Sequence, residues 1–484
     1  MANLRRSLVI NFFSSSGATI VQFIVSIILA RMLSPSEIGV FSMTVVFINI
    51  AHIFRDFGVA TYLQSEPDLT SEKMRAAIGV LFSSSWLIAM VLFLASSWIA
   101  AWFEEPRMAP VMEVLAVGFL FIPFGSVTHS LLTREFAADK QAMVMFAGTA
   151  SYAITCLGLA KLGFGTMSLA WANLANIIIC AIAYAPLRPK GVPWMPSFRN
   201  WRKVLHFGAG TLIANCAVAI NNALPDILLG KLGSARHVGL FSRANSTVAI
   251  FTHVAGSTVN YGSVSYISQK HHRGESLAPL LSRAVSLLTG VGWPALALSS
   301  LLGYEIVVAL YGETWLECVP AIPALAIAAG ISMLFHYTPV GLTALGRPYL
   351  SAIPVMIMLL TRIAIGIALF DNTIRTFSWA ICVATLAASP FIVVQQSKYL
   401  GYNFADMLRA VWPSAIVSVI CMVACEGMRL VLPNSIPALA RLLIMALPLA
   451  IVWYLALRAT RHPLLVEVHH LSAGLKARFS WGQP

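Results

Sequence analysis

Fourteen apolar runs divide the chain, each of a length suited to a helix crossing about 30 Å of hydrocarbon. They lie at residues 8–30, 38–63, 76–103, 109–132, 142–161, 166–187, 205–230, 236–267, 279–303, 317–345, 349–370, 374–397, 406–428 and 436–458, separated by short polar or Pro/Gly-containing connections. The pattern predicts an all-α polytopic membrane protein of about 14 transmembrane helices. The eighth run is long enough to bend or to project from the membrane.

Composition agrees with the pattern. Of 484 residues, 58% are hydrophobic and 11% charged, with mean hydropathy +0.80, so fourteen spans leave no room for a soluble catalytic domain. The net charge of +13 would suggest nucleic acid in a soluble protein, but here the loops account for it and nucleic acid is not expected as a partner. With a cytoplasmic N-terminus, 21 of the 32 Lys and Arg fall on inner segments and 8 on outer turns, which predicts both termini inside. Arg5 and Arg6 precede a run without a small-residue cleavage site, so that run reads as a retained first helix. The seven cysteines show no CxxC and no ligand spacing, and predict neither a disulfide nor a metal site.

A repeat organises the runs. Residues 28–44 (ILARMLSPSEIGVFSMT) align without gaps on 228–244 (LLGKLGSARHVGLFSRA), with Leu29, Ser34, Gly39, Phe41 and Ser42 recurring as Leu229, Ser234, Gly239, Phe241 and Ser242. Both segments are outer turns of helical hairpins six helices apart, an even spacing that predicts a parallel pseudo-twofold repeat about the membrane normal. The expected domains are an N-terminal six-helix lobe at 1–187, a cytoplasmic Pro-rich basic linker at 188–204, a second six-helix lobe at 205–400, two additional transmembrane helices at 401–460 and a cytoplasmic tail at 461–484. WFEEP (Trp102 to Pro106) and LYGETW (Leu310 to Trp315) are a weaker echo between the third and fourth helices of each lobe.

Charges at membrane depth cost at least a few kcal/mol and therefore point to cavities or partners. Arg55 and Asp56 lie in the second run, roughly 25 Å of helix from the outer turn. Asp226, Arg243 and Arg362 lie in the seventh, eighth and eleventh runs. Arg55, Arg243 and Arg362 are candidate cavity arginines, because a guanidinium fork suits a phosphate. The bland alternative is an Asp226–Arg243 salt bridge and local neutralisation of Arg55 by Asp56. Gln22 and Asn222 share the 200-residue offset, and His52 and His253 fall one residue from it, which suggests polar cavity or coupling positions; interhelical hydrogen bonding is the alternative.

Several chemistries are missing: there is no GxxxxGK[ST], HExxH or GxSxG, and no cofactor is called for. The outer acids Glu104, Glu105, Glu313 and Glu317 read as lacking basic or nucleophilic partners nearby in sequence. An enzyme is not expected.

LARMLSPSEIGVFSM followed by FRDFGVATYLQ, with PDILLGKLGSARHVGLFSRA and LYGETW, resembles the polysaccharide transporter family, the Wzx-type oligosaccharide flippases of the MOP exporter superfamily, and its WzxC-like branch in particular. The resemblance implies two six-helix lobes with alternating access around a cationic cavity, with Arg55 and Arg243 at cavity positions and Asp56 matching the acid of the opening motif. It implies a polyprenyl-pyrophosphate-linked oligosaccharide as substrate, membrane lipids and the polymerase or export machinery as candidate partners, and the bacterial cytoplasmic (inner) membrane as location. Gln22 stands where the family places an acid in the first helix. A small-molecule multidrug-type antiporter is the alternative, and a polysaccharide polymerase or ligase a weaker one.

Overall fold

The computed structural model describes residues 2–56, 58–66, 68–193, 195–197, 201–257, 276–345, 350, 352–433 and 435–467. Among these no strand occurs, and the chain is a succession of helices: α1 Ala2–Met32, α2 Pro35–Asp56, α3 Val59–Ser65, α4 Ser71–Trp102, α5 Met108–Arg134, α6 Ala138–Lys161, α7 Thr166–Tyr184, α8 Trp201–Leu232, α9 Ala235–Ser257, α10 Ala278–Leu301, α11 Gly303–Leu310, a 3-10 turn Glu313–Ala321, α12 Ile322–Met333, α13 Thr338–Ala344, α14 Ala352–Leu369, α15 Ile374–Leu400, α16 Phe404–Val431 and α17 Ala438–Ala459. Eleven spans among the described residues are long and apolar enough to cross a membrane. The expected fourteen also require α1, α8 and α9, which are not among those eleven. The end of the eighth run, Trp194 of the linker and the tail from 468 lie outside the described residues.

The helices form two compact units, Met1–Gly239 and Leu240–Pro484. In the first, α1 packs on α6, α4 on α5, and α7 on both α5 and α6, while α2 touches α4, α5, α7 and α8. In the second, α10 is sandwiched by α16 and α12, α15 packs on α12 and α14, and α17 on α16 and α11.

Small residues let these helices approach. On α4 the buried stripe Ala77, Leu81, Ser85, Ala89, Leu92, Ser96, Ala100 recurs every three or four positions, the close-packing pattern of helices that gain nothing from lipid exclusion. On α16 the equivalent stripe contains Ser414, Ser418, Cys421 and Cys425, so these thiols are packing groups. The outward faces are apolar: Leu94 is 72% exposed, Trp98 73% and Ile154 74%, surfaces that fit lipid and not water.

Two interruptions refine the apolar-run reading. The second run is not one helix: Gly58 adopts φ 72°, a left-handed conformation that glycine accepts without steric cost, and α2 ends at Asp56 while α3 begins at Val59. The tenth run opens as a 3-10 turn containing Pro320 and breaks again after α12.

Beyond α17 the chain folds back onto α10 and α16 through the buried His462. Its Nδ1 accepts from Leu464 N–H (3.1 Å), which leaves the hydrogen on Nε2 to face Ser414 Oγ (3.0 Å). Burial depresses this imidazole from 6.5 to about 4. A base with a depressed folded-state pKa stabilises docking fully above pH 6.5, and that contribution fades as pH falls towards 4. Protection of residues 461–467 from hydrogen exchange, taken relative to the intrinsic rate at each pH, should therefore be lower at pH 4.5 than at pH 7.5, and His462→Gln should remove the difference.

Candidate functional site

In the first unit the last two turns of α2 gather three of the predicted residues. His52, Arg55 and Asp56 fall at helical steps of three and four, which puts them on one face. The His52 ring stacks on Phe119 of α5, with centroids 4.7 Å apart and planes inclined by 29°. Ser84 Oγ of α4 donates to the Arg55 carbonyl (2.8 Å), fixing the terminal turn of α2. The Arg55 side chain is half-buried, and its buried Nε meets no hydrogen-bond acceptor among the described residues. A guanidinium N–H away from water and without an acceptor retains its capacity for an anionic ligand.

On α8, Asn222 is exposed and Asp226 half-buried one turn later, while α1 leaves Gln22 exposed. Pro225 lies inside α8, next to Asp226. Proline supplies no N–H to the helical ladder at this point. The structure thus brings together His52, Arg55 and Asp56, and separately Asn222 and Asp226.

The second unit treats its arginines differently. Arg243 on α9 is 8% exposed, and its guanidinium carbon lies 5.4 Å from the ring centroids of both Tyr311 and Trp315. Those rings are themselves buried. Thr247 Oγ1 donates to the Arg243 carbonyl (2.9 Å) and lies 3.5 Å from the Tyr311 hydroxyl. Cation–π contact on two sides holds this side chain in place. Arg362 is half-buried on α14, and His253 exposed on α9. Asp226 and Arg243 belong to different units, and their pairing stays a proposal.

Three clusters escaped the sequence reading. The outer acids Glu104 and Glu105 do have basic partners: Lys231 Nζ, distant in sequence, donates to the Trp102 carbonyl (2.8 Å) and to Glu104 (3.2 Å), and Arg107, two residues on, forks onto both oxygens of Glu105 (2.7 and 2.8 Å), which corrects the expectation for Glu105. That fork holds the Glu105 carboxyl below its ordinary range. In the second unit Glu305, 1% exposed, accepts from Arg441 Nη1 (3.2 Å) and lies 3.9 Å from Arg429 Nε. The third is the aromatic box around Arg243. The only signal for it was the LYGETW echo, which supplies both rings.

Residues 28–320 match the family described as polysaccharide biosynthesis protein. The lipopolysaccharide biosynthesis protein WzxC of Escherichia coli (strain K12) is 20% identical over 464 residues, covering 91% of this chain and 90% of that protein. In fold, the chain resembles a solved structure of the lipid II flippase MurJ, inward closed, with TM-score 0.74, 13% identity and coverage of 93% of this chain and 99% of that one. It also resembles an inward-facing multidrug resistance MATE transporter of the MOP superfamily, with TM-score 0.62, 14% identity and coverage of 79% and 94%. The helices, their apolar faces and the matched span agree: this chain is a multi-pass membrane protein belonging to the polysaccharide biosynthesis protein family.

Proposed function

We propose that this protein is a flippase that carries a polyprenyl-diphosphate-linked oligosaccharide across the bacterial cytoplasmic (inner) membrane by alternating access, for surface or exopolysaccharide or lipopolysaccharide biosynthesis. Arg55 carries the reading: a half-buried arginine with an acceptor-free Nε, on a membrane helix of a family member, suits a diphosphate. Arg362 and the polar groups Gln22, Asn222, His52, His253, Asp56 and Asp226 would line the path of the sugar. Arg243, held by its aromatic box, would contribute field more than direct contact. No bond is made or broken in this task, so its energetics are those of binding and conformational exchange. The family resemblance and the names of the relatives support the substrate class.

The multidrug-antiporter reading rests on the MATE-like fold. The likeness to MATE covers 79% of the chain and that to MurJ 93%. The extra pair α16 and α17 goes beyond the 6 + 6 plan of the antiporter reading and favours the lipid-linked substrate.

A deletion strain tests the function. The flippase reading predicts accumulated lipid-linked oligosaccharide and lost surface polysaccharide; unchanged surface polysaccharide with altered drug tolerance would favour the antiporter. Topology is tested separately. A fluorescent protein fused after Pro484 should fluoresce and an alkaline phosphatase fused there should be inactive, because the basic residues predict a cytoplasmic C-terminus. The reverse pattern would place the C-terminus outside.

A further inference from the structure

The two copies of the repeat seat their first helices differently. By the 200-residue offset α8 answers to α1, yet α1 packs on α6 whereas α8 packs on α2, α3 and α4, all within the first unit. Glycines bring the far end of α8 close to its neighbours. A Cβ on Gly230 would stand 2.8 Å from Met43 Cε and from Phe103 Cε1. Just beyond, a Cβ on Gly39 of α2 would overlap the carbonyl oxygen of Ala235, and one on Gly239 would overlap that of Pro35. Glycine permits this approach, since an alanine methyl at either position would require the backbones to part.

Lys231 fastens this end. Its Nζ donates to the Trp102 carbonyl (2.8 Å) and to Glu104 (3.2 Å), and lies 5.6 Å from the Trp102 ring centroid. Both charged side chains reach solvent, where an ion pair contributes little. The groups on the other side of the contact are tied more firmly to one another. Arg107 Nη2 donates to Ser36 of α2 (2.8 Å) while the same guanidinium forks onto Glu105, which joins the α4–α5 turn to the start of α2. Thr166 Oγ1 of α7 donates to the Glu37 carbonyl (3.0 Å), and Ser34 N–H and Oγ both donate to Glu37 Oε2 (2.7 and 2.8 Å). A braced platform thus meets a helix end held by bare backbone contact and an exposed lysine. Such a contact can part without dragging interlocked side chains past one another.

We propose that the end of α8, with the turn that follows it to Gly239, is an outer gate latched by Lys231. It is closed on α2 and the α4–α5 turn in this structure, and it leaves both when the transporter opens outwards. This rests on the transport reading for its purpose and on the predicted topology for its side, but the parting itself is measurable without substrate. Alternating access requires a contact that breaks on the release side, and α1 shows that the repeat allows its first helix another seat.

The first test uses spin labels in a cysteine-free background reconstituted in liposomes. A Leu162→Cys, Leu232→Cys pair, both exposed, spans the contact and should give a short and a longer distance. Adding Lys231→Ala should raise the ratio of long to short about fivefold, the shift that loss of about 1 kcal/mol of bonding produces. A Leu162→Cys, Trp98→Cys pair lies within the platform and should keep one distance. A distribution for the first pair that Lys231→Ala leaves unchanged would overturn the gate. The second test puts thiols in place of the ion pair, as Glu104→Cys with Lys231→Cys in the complemented deletion strain. Joined by a short bifunctional thiol reagent with a cleavable disulfide, they should stop export of surface polysaccharide, and reductant should restore it. Undiminished export with the bridge in place would also overturn the proposal, and if the unbridged pair does not export, the distances decide. Failure of the transport reading shows elsewhere, as a cysteine-free parent that never restores polysaccharide, and the spin-label distances still judge the gate.

Discussion

Arg55→Ala should abolish export of surface polysaccharide while the protein inserts at its normal level. Arg55 lies on α2 with its carbonyl tied to Ser84 and its Nε without an acceptor among the described residues, so replacing the side chain breaks no hydrogen bond of that atom within the protein. What is lost is charge-assisted bonding to the diphosphate. At roughly 1.5–3 kcal/mol per bond, two such bonds correspond to a loss of about a hundredfold or more. Arg55→Lys keeps the charge without the planar fork and should retain part of the transport. Export is read as surface polysaccharide in the complemented deletion strain, and insertion as protein in the membrane fraction. If Arg55→Ala instead lowers the protein level and Asp56→Ala restores it, the two residues form a structural pair and the ligand role fails. Arg243 offers the contrast: held between Tyr311 and Trp315, Arg243→Ala should reduce the folded population, and Trp315→Ala should mimic it.

Glu305→Ala should produce the largest loss of stability. This carboxylate is buried at the start of α11 between Arg441 of α17 and Arg429 of α16, and joins the last two helices to the rest of their unit. Removing one member of a buried ion pair leaves the other charges uncompensated, at a cost of about 3–5 kcal/mol. Arg429 is 35% exposed and also meets Glu426, so the effect falls mainly on Arg441. Thermal unfolding in detergent should show a large fall in Tm for Glu305→Ala and a smaller one for Glu305→Gln. Joint replacement of Glu305 and Arg441 by Leu and Met should recover most of the loss. An unchanged Tm in Glu305→Ala would show that α16 and α17 are held by apolar packing alone.

Much of the architecture was legible because a membrane helix must satisfy its backbone internally and show apolar side chains to lipid, which makes run length a direct readout. The repeat was legible for a related reason: Gly39 and Gly239 stand where no side chain fits, and such positions leave identical residues in both copies. Ends within runs were less so. The end of α2 falls beside the left-handed Gly58, which hydropathy cannot register. The site was legible only in part. Arg55 announced itself as a charge inside an apolar run, but the surroundings of each charge depend on residues far along the chain. Tyr311 and Trp315 around Arg243, Lys231 beside Glu104, and Arg441 beside Glu305 have no periodicity that ties them to their partners. Arg243 shows the consequence, since in sequence it reads like Arg55 and in structure it is enclosed by rings.

The most direct measurement of the central claim is translocation in proteoliposomes. Purified protein would be reconstituted with a polyprenyl-diphosphate-linked oligosaccharide labelled on its sugar, and the fraction reachable by an external glycosidase followed with time. The flippase account predicts that wild-type protein brings the inner-leaflet half of the label into reach, while Arg55→Ala vesicles stay near the protein-free rate. Wild-type vesicles no faster than protein-free ones, while the same preparation moves small organic cations, would contradict it.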